Sequence, residues 1–340
     1  MALYALEDID DAVSATRSLL WPVDRTLWIK LAVVVFFVGG PGASFNSVQY
    51  NVPANGDTPP GDVPLPPEIG ANILLVVGSL VLIGLLIGLL FLLVGSVMEF
   101  VLVESLRRET VTIRQYWGER WRQGIRLFSF RFVVGLLVVG SAVVVAALVF
   151  LPLFVGAGPG PGNPLAGFSV VGFLLLLPVA VVLALVVGLV NGFTTVFVVP
   201  VMIVEDCGVV AGWRRLWPTI TASVWQYLAY AVAGFVLNIL GGILAAIAIG
   251  VAVLVLLIPF GVLGVLGVAL LAAAPPFGIG VLVLVGLLFG LSVLVVAALV
   301  QVPIVAYLRY YALFVLGDID PELDLIPDRR AAVREQGDAE

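Results

Sequence analysis

The chain has 340 residues, of which 62% are hydrophobic and only 11% are charged, whereas soluble domains carry about 25% charged residues. Its formal net charge is −6, its one cysteine is Cys207, and it has no histidine. This composition excludes a soluble globular protein, an internal disulfide, histidine-based acid–base or metal chemistry, and the basic surface that nucleic-acid binding requires.

The first charged residues of the chain are acidic: Glu7, Asp8, Asp10 and Asp11. A secretory signal peptide begins with a basic region, so none is predicted here, and the first apolar run is expected to remain as a membrane span. Residues 1–26 are predicted to form an amphipathic helix that is broken at Pro22.

Six membrane spans are predicted from the apolar runs. The chain has no charge between Arg131 and Glu205 or between Arg215 and Arg309. Both runs far exceed the roughly 20 residues that cross a bilayer. The predicted spans are 26–45, 71–103, 127–154, 167–204, 226–258 and 281–316. The sequence thus predicts an all-α polytopic transmembrane bundle, with one membrane domain over 1–316 and a charged, partly disordered tail over 317–340.

Segments rich in glycine and proline separate the spans. Residues 46–70 and 156–164 have the composition of loops. Residues 259–280 are apolar but interrupted by glycine and proline, which predicts a turn that dips into the membrane edge or interior; an extra span is the alternative. Within the fourth span, Pro178 and Pro200 are predicted to cause kinks.

Three stretches, which begin at Glu7, Glu104 and Glu205, resemble one another. Each is predicted to be an interfacial amphipathic helix with a break, at Trp21-Pro22, Trp117-Gly118 and Trp217-Pro218 respectively. The pattern predicts a threefold internal repeat with copies at about 1–103, 104–204 and 205–316. The alternative is that three hairpins look alike because the interface demands the same residues.

The basic residues indicate the topology. In the six-span arrangement all 16 lysines and arginines fall on one side of the membrane, at 17–30, 107–131, 214–215 and 309–334. The positive-inside rule then predicts a multipass protein of the cell membrane with both termini in the cytoplasm. The excess of arginine over lysine, together with the net acidity, predicts a halophilic archaeon as the source.

All seven tryptophans lie in or next to the three repeated stretches. An indole ring has an apolar body and a polar N–H, so these residues are predicted to be interfacial anchors on helices that lie in the membrane plane. The predicted anchors are Trp21, Trp28, Trp117, Trp121, Trp213, Trp217 and Trp225. The alternative is that they form a docking surface.

Two groups of polar residues are candidates for a functional site. Glu99, Asn191, Asn238 and Gln301 lie within spans and either line a substrate path or serve in ion pairing and interhelical hydrogen bonds. The acids of the repeats are Glu7, Asp8, Glu104, Glu205 and Asp206. They form either a ring of carboxylates suited to a cation or helix caps paired with arginine. No cofactor motif, metal-binding cluster or nucleophile–base pair is found in the sequence.

The stretches VMEFVLVESLRRETVTIRQYW and VPVMIVEDCGVVAGWRRLWPTITASVWQYL resemble six-span proteins related to the membrane domain of bacterial glycerophosphodiester phosphodiesterases. The chain looks closest to an uncharacterised haloarchaeal branch whose members open much as MALYALEDIDDAVSATR does. In the enzymes a separate soluble domain performs catalysis. No such domain is expected here, so the resemblance implies the membrane fold without the activity.

The expected function is that of a non-enzymatic integral membrane protein, without a cofactor. A scaffold or a lipid- or envelope-related accessory factor is favoured, with membrane lipids as partners and no nucleic acid. The alternative is a transporter or channel that passes a small solute or ion through the helix bundle.

Overall fold

The computed structural model describes residues 4–45, 67–155 and 164–337, with side chains over 4–39, 75–147 and 176–335. Within these ranges the chain is almost entirely helical and contains no strand. The α-helices are α1 (Tyr4–Leu20), α2 (Arg25–Phe45), α3 (Pro67–Arg108), α4 (Ile113–Val155), α5 (Pro164–Phe193), α6 (Val199–Glu205), α7 (Val209–Ala222), α8 (Val224–Ala273), α9 (Pro275–Ile319) and α10 (Pro327–Gly337). A π-helical segment, Thr194–Val198, joins α5 to α6, and a 3₁₀ turn, Pro321–Leu323, follows α9.

Five helices of the described part are long and apolar enough to cross a membrane. They lie at Leu75–Arg108, Ile113–Ala147, Leu176–Glu205, Val224–Ala273 and Pro275–Ile319. The first predicted span corresponds to α2, whose last residues fall outside the described side chains. The all-helical fold with five such helices is therefore established for the described residues. The first predicted span, 26–45, stays a prediction.

The helix break predicted at Trp21-Pro22 is confirmed, because α1 ends at Leu20. The helix has Glu7 in its first turn and Arg17 in its last. This order of charges complements the helix dipole.

The break predicted at Trp117-Gly118 is wrong. Helix α4 runs without interruption through both residues to Val155. An interior glycine costs only about 1 kcal/mol relative to alanine, so it need not end a helix. The chain turns earlier, at Glu109, whose φ is 52°.

The continuity of α4 also overturns the prediction of a separate interfacial helix in the second repeat. Trp117 and Trp121 lie on the same helix as the third predicted span. For this copy, the tryptophans sit on an extension of the span.

The break predicted at Trp217-Pro218 is wrong as well, since α7 continues through Pro218 to Ala222. The helix boundary falls at Ser223, with φ −127° and ψ 43°. Thr221 Oγ1 lies 2.9 Å from the carbonyl oxygen of Pro218, to which it donates a hydrogen bond.

The turn predicted over 259–280 is present, but it is much shorter than predicted. Helix α8 passes through Pro259 to Ala273, and α9 begins at Pro275. The reversal is concentrated at Ala274, whose carbonyl accepts a hydrogen bond from the N–H of Gly278 at 3.0 Å. Proline is well suited to the first turn of a helix, because its missing N–H has no partner there.

Most of the predicted loop 46–70 and all but the last residue of loop 156–164 lie outside the described residues. Residues 67–70 already belong to α3. Within the tail, for which partial disorder is predicted, the described residues to 337 form the end of α9, the 3₁₀ turn and α10. Leu323, Leu325, Ile326 and Val333 are buried there.

The chain divides into two compact units. The first unit comprises Met1–Ala15, Glu119–Gly234 and Leu308–Glu340, and the second comprises Thr16–Gly118 and Phe235–Tyr307. These boundaries do not follow the predicted threefold repeat, which stays a prediction.

In the second unit, α8 and α9 form an antiparallel hairpin. Gly241 approaches Ile304, and Gly267 approaches Leu282 nearer the turn. At Gly278, an added Cβ atom would lie 2.5 Å from the backbone nitrogen of Leu271. The absence of a side chain at Gly278 therefore permits the close approach of the two backbones.

The same unit contains a second antiparallel hairpin, formed by α2 and α3. The rings of Phe36 and Phe37 pack against Phe91, with centroids 6.0 and 5.5 Å away. Gly95 faces the backbone of Phe37 one turn further along α3.

Candidate functional site

The π-helical segment Thr194–Val198 is the main irregularity in a membrane-length helix of the first unit. Pro200 follows it directly, as the second residue of α6. Proline has no N–H to donate to the carbonyl four residues earlier, and its ring displaces that carbonyl. The kink predicted at Pro200 therefore takes the form of a widened turn on its N-terminal side.

Two threonine hydroxyls line this widened turn. Thr194 Oγ1 donates to the carbonyl of Val190 at 2.6 Å, and Thr195 Oγ1 donates to the carbonyl of Asn191 at 2.7 Å. Hydroxyl bonds of this kind compete with the backbone ladder and bend helices. They leave both hydroxyl oxygens able to accept from other helices.

Three side chains from other helices use the acceptors of this segment. Arg131 of α4 donates to Thr195 Oγ1 at 2.7 Å, and Arg309 of α9 donates to the Thr195 carbonyl at 3.0 Å. Trp213 of α7 donates its indole N–H to Thr194 Oγ1 at 2.9 Å. We call Arg131, Thr194, Thr195, Trp213 and Arg309 the π-helix cluster. It joins α4, α7 and α9 to one irregular turn, with two guanidinium groups on a single residue.

An aromatic layer lies beside the π-helix cluster. Phe197 contacts Tyr227 and Tyr230, with ring centroids 5.3 and 4.7 Å away. Tyr230 stacks on Tyr311 at 5.3 Å, and Tyr311 donates its hydroxyl to the carbonyl of Ala5 at 2.7 Å. The rings extend the packing of the π-helical segment to α1, α8 and α9.

A second polar cluster of the first unit joins α1, α9 and α10. Arg334 lies 3.2 Å from Asp8, 3.1 Å from Asp11 and 2.5 Å from Asp318. Arg330 lies 2.8 Å from Asp318 and 3.1 Å from Asp324. We call these six residues the carboxylate–arginine cluster. Four carboxyl groups share two arginines, so the cluster has an excess of acid.

Asp8 is the most unusual member of the carboxylate–arginine cluster. It is fully buried, and its Oδ2 atom has no hydrogen-bond partner among the described residues. Burial, followed by the nearby Asp318 carboxylate, raises the pKa of Asp8 from its ordinary value of 3.8 to about 8. The hydrogen bond to Asp318 raises the pKa of the Arg334 guanidinium in turn. The cluster can therefore hold a proton on Asp8 near neutral pH.

The predicted repeat acids of α6 and the following turn are engaged with neighbouring side chains. Glu205 accepts from Arg215 at 2.9 Å. Asp206 ends α6 with a φ of 46° and accepts from the Gln123 amide at 2.7 Å. The same Gln123 amide donates to the carbonyl of Met202 at 2.8 Å. These contacts cap α6 and orient the start of α7.

The other repeat acids differ in their surroundings. Glu104, in the second unit, is fully buried and lies 2.6 Å from Arg108. Glu7 is exposed on α1. Asp8, Glu104 and Glu205 are each paired with an arginine. In the described part of the chain, no three acidic, cysteine or histidine residues lie close enough to hold a metal ion.

The four polar residues predicted as intramembrane candidates do not belong to one unit. Asn191 lies in the first unit, where its Oδ1 atom is buried without a hydrogen-bond partner among the described residues. Glu99, Asn238 and Gln301 lie in the second unit. Glu99 is 2% exposed, Gln301 is half-buried, and Asn238 is exposed.

The predicted tryptophan anchors fall into two groups. Trp21, Trp121, Trp217 and Trp225 are exposed, and Trp225 most of all, at 77%. Trp28, Trp117 and Trp213 are half-buried. Trp28 donates to the carbonyl of Leu20 at 3.3 Å, and Trp213 serves the π-helix cluster.

Most of the π-helix cluster was not among the predicted site residues. The available signals were the Thr194-Thr195 pair shortly before Pro200, and the two arginines that border the charge-free runs. Arg131 and Arg309 are the charged residues at those borders. Local spacing gives no reason to bring them to the same threonine.

These observations define the class of the protein. The described part of the chain is all-helical and has five helices able to cross a membrane, as expected of an integral, multipass membrane protein. Within that class the chain belongs to a family of unknown function, DUF7544, whose model matches residues 3–326. No protein of curated function and no solved structure matches the chain significantly.

Proposed function

We propose that the protein is a non-enzymatic scaffold or lipid- or envelope-related accessory factor of the cell membrane. The observation that carries this proposal is the use of polar side chains in the first unit. Arg131 and Arg309 bind the π-helical segment, and Arg334 joins α1 to α9 and α10. These groups hold helices together, which is the arrangement expected of a structural membrane protein.

The proposal includes a six-span arrangement with α2 as the first span, a threefold repeat, and both termini in the cytoplasm. It is supported by the placement of all 16 basic residues on one side of that arrangement. The sequence resemblance to the membrane domain of glycerophosphodiester phosphodiesterases and to a haloarchaeal family supports a role connected with lipids or the envelope, in a halophilic archaeon.

Purification in native lipid particles, without detergent extraction, tests this function. We expect the full chain to retain a defined set of lipids or a stoichiometric membrane protein partner, both identified by mass spectrometry. A preparation with bulk lipid composition and no partner would contradict the proposal. A reporter fused to residue 340 that was accessible only from outside the cell would contradict the topology.

A transporter or channel is the second candidate, and the π-helical segment favours it. Irregular turns within membrane helices often mark substrate sites, and this one has two arginines and the buried amide oxygen of Asn191 nearby. Two guanidinium groups would favour a small anion. Chloride and acetate flux into proteoliposomes, compared between the wild type and Thr195→Val, tests this candidate. Flux that is lost in the variant would replace the scaffold proposal.

A further inference from the structure

An open groove in the second unit has a cationic lining. Its volume is about 690 Å³, and it is lined by Lys30 of α2 and by Thr112, Ile113, Arg114 and Gln115 at the start of α4. Lys30 is half-buried, whereas Arg114 is exposed. Two cations from two different helices therefore share one cavity.

The described part of the protein does not neutralise these two cations. Among the described residues, neither Lys30 nor Arg114 forms an ion pair. Arg108, at the end of α3, contrasts with them: it pairs with Glu104 at 2.6 Å and lies over the ring of Tyr116 at 5.0 Å. Arg108 uses its charge in an ion pair within the protein. Lys30 and Arg114, which line the groove, leave their charges available.

The backbone at the start of α4 adds to this positive character. The Thr112 carbonyl accepts the N–H of Tyr116 at 3.1 Å, which makes Thr112 the capping residue of the helix. The N–H groups of Ile113 and Arg114, at the start of the helix, have no acceptor one turn earlier in the helix, and they lie at the positive end of its dipole. With the hydroxyl of Thr112, the groove offers several donors, which suits an anion with several oxygens, such as a phosphate group.

The position of Lys30 indicates where such an anion lies. Lys30 is the last charged residue before the uncharged run 31–56, so it marks the inner end of the first proposed span. Ile113 and the aliphatic stems of the two cations provide apolar surface beside the charges. A phosphate bound here would have hydrocarbon next to it, as a lipid headgroup does.

We propose that this groove binds the phosphate-bearing headgroup of an anionic phospholipid. Lys30 and Arg114 hold the phosphate oxygens, and Thr112 supplies a neutral donor. The inference rests on the proposed function as a lipid-associated membrane protein, and it names the lipid class and the place where the lipid binds.

Native mass spectrometry of the purified full chain with added phosphatidylglycerol or phosphatidylcholine tests the groove. The test variant is Lys30→Gln/Arg114→Gln. The matched control is Arg25→Gln/Arg122→Gln, which makes the same charge change on α2 and α4 at exposed positions outside the groove. We expect the test variant to bind phosphatidylglycerol about a hundredfold more weakly, since it removes two charge-assisted contacts and each contributes about tenfold. The control should keep wild-type affinity, and phosphatidylcholine should bind weakly throughout.

A charge-retaining variant and a soluble competitor complete the design. Lys30→Arg/Arg114→Lys should bind phosphatidylglycerol within about threefold of the wild type, because the cations are kept. Millimolar inorganic phosphate should not displace the lipid; displacement would assign the groove to free phosphate instead. An equal loss of phosphatidylglycerol affinity in the control variant would show that the cations act only by general electrostatic attraction. That result would contradict a specific site in the groove.

The outcomes also separate this site from the proposed function. If the test variant binds phosphatidylglycerol as the wild type does, the groove assignment is wrong while the lipid association stands. If native preparations retain neither defined lipids nor a partner, the proposed function fails as well.

Discussion

Helix α9 takes part in two regions that are held together by different means. Its segment 275–307 packs on α8 in the second unit, where the chain carries no charge from Leu216 to Leu308. Its last residues, from Leu308, belong to the first unit, where Asp318 is part of the carboxylate–arginine cluster. The α8–α9 hairpin depends on small residues, and the cluster depends on ion pairs.

The difference teaches which perturbations each region resists. Close helix packing through glycine is lost when volume is added, but it contains nothing that titrates. A buried ion pair tolerates modest changes of shape, but removal of one partner leaves a buried charge without compensation. The two regions should therefore respond to opposite sets of substitutions and conditions.

The largest effect is expected from Arg330→Met. Its two partners, Asp318 and Asp324, are 10% and 8% exposed. Removal of the guanidinium leaves these carboxylates without it in a poorly hydrated site, which should lower the free energy of unfolding by about 3 kcal/mol. Thermal unfolding followed by tryptophan fluorescence measures the loss. Arg122→Met, at an exposed position of α4, is the control and should leave the unfolding temperature unchanged.

The hairpin should respond to volume. In Gly278→Ala the new Cβ atom meets the backbone of Leu271, and overpacking of this kind costs about 1–3 kcal/mol. Gly280→Ala has open space around it and should instead gain about 1 kcal/mol from helix propensity. The same unfolding measurement compares the two variants, and a Gly278→Ala protein as stable as Gly280→Ala would disprove close packing at this turn.

The carboxylate–arginine cluster should respond to pH through Asp8. The pKa of Asp8 is about 8 in the folded protein and ordinarily 3.8, so the folded state binds the proton more tightly. The stabilisation is complete below pH 4 and is lost as the pH rises towards and past 8. The groups that face Asp8 are Asp11, Asp318 and Arg334. We expect the hydrogen-exchange protection of α10 to fall about a hundredfold from pH 6 to pH 9, since about two pH units separate pH 6 from the folded pKa of about 8.

Asp8→Asn separates this proton from the other titrating groups. The amide stays neutral at every pH, so the protection of α10 should become nearly independent of pH between 6 and 9. Residues 235–306 of the α8–α9 hairpin in the same molecules are the internal control, since they include no titrating side chain. Protection of α10 that rises with pH in the wild type would contradict the assignment of the proton to Asp8.

The smallest effect concerns the π-helix cluster. Thr194→Val removes the acceptor for the indole N–H of Trp213 and should cost about 1 kcal/mol. The fluorescence of Trp213, isolated by difference against Trp213→Phe, should shift because its N–H loses a partner. Thr221→Val, whose hydroxyl bonds only within α7, should change neither stability nor this emission.

The helices themselves were predictable from the sequence, because long apolar runs without charge have few alternatives to spanning helices. The end of α1 near Pro22 was also predictable, because proline locally interrupts a helix. The positions of the other breaks were not. Whether Gly118, Pro218 or Pro259 ends a helix depends on what packs around it, and that information is absent from local composition.

The site was less predictable than the helices. Arg131 and Arg309 lie 64 and 114 residues from Thr195, and no periodicity links positions so far apart. The polar residues chosen because they lie within predicted spans include Asn191, next to the π-helical segment, but not Arg131 or Arg309. In the tail, the buried apolar residues Leu323, Leu325 and Ile326 were a signal against disorder that its high charge obscured.

The ion pair between Asp8 and Arg334 joins positions 326 residues apart, and this separation has a consequence for biogenesis. Helix α1 leaves the ribosome long before α10 exists, so Asp8 has no cation from α10 while the intervening helices are inserted. The first unit can close only after Arg334 has been synthesised, which makes its completion a late and cooperative step. A product that stops short of Arg334 would leave Asp8 without this partner, and quality-control proteases could distinguish it from the finished protein.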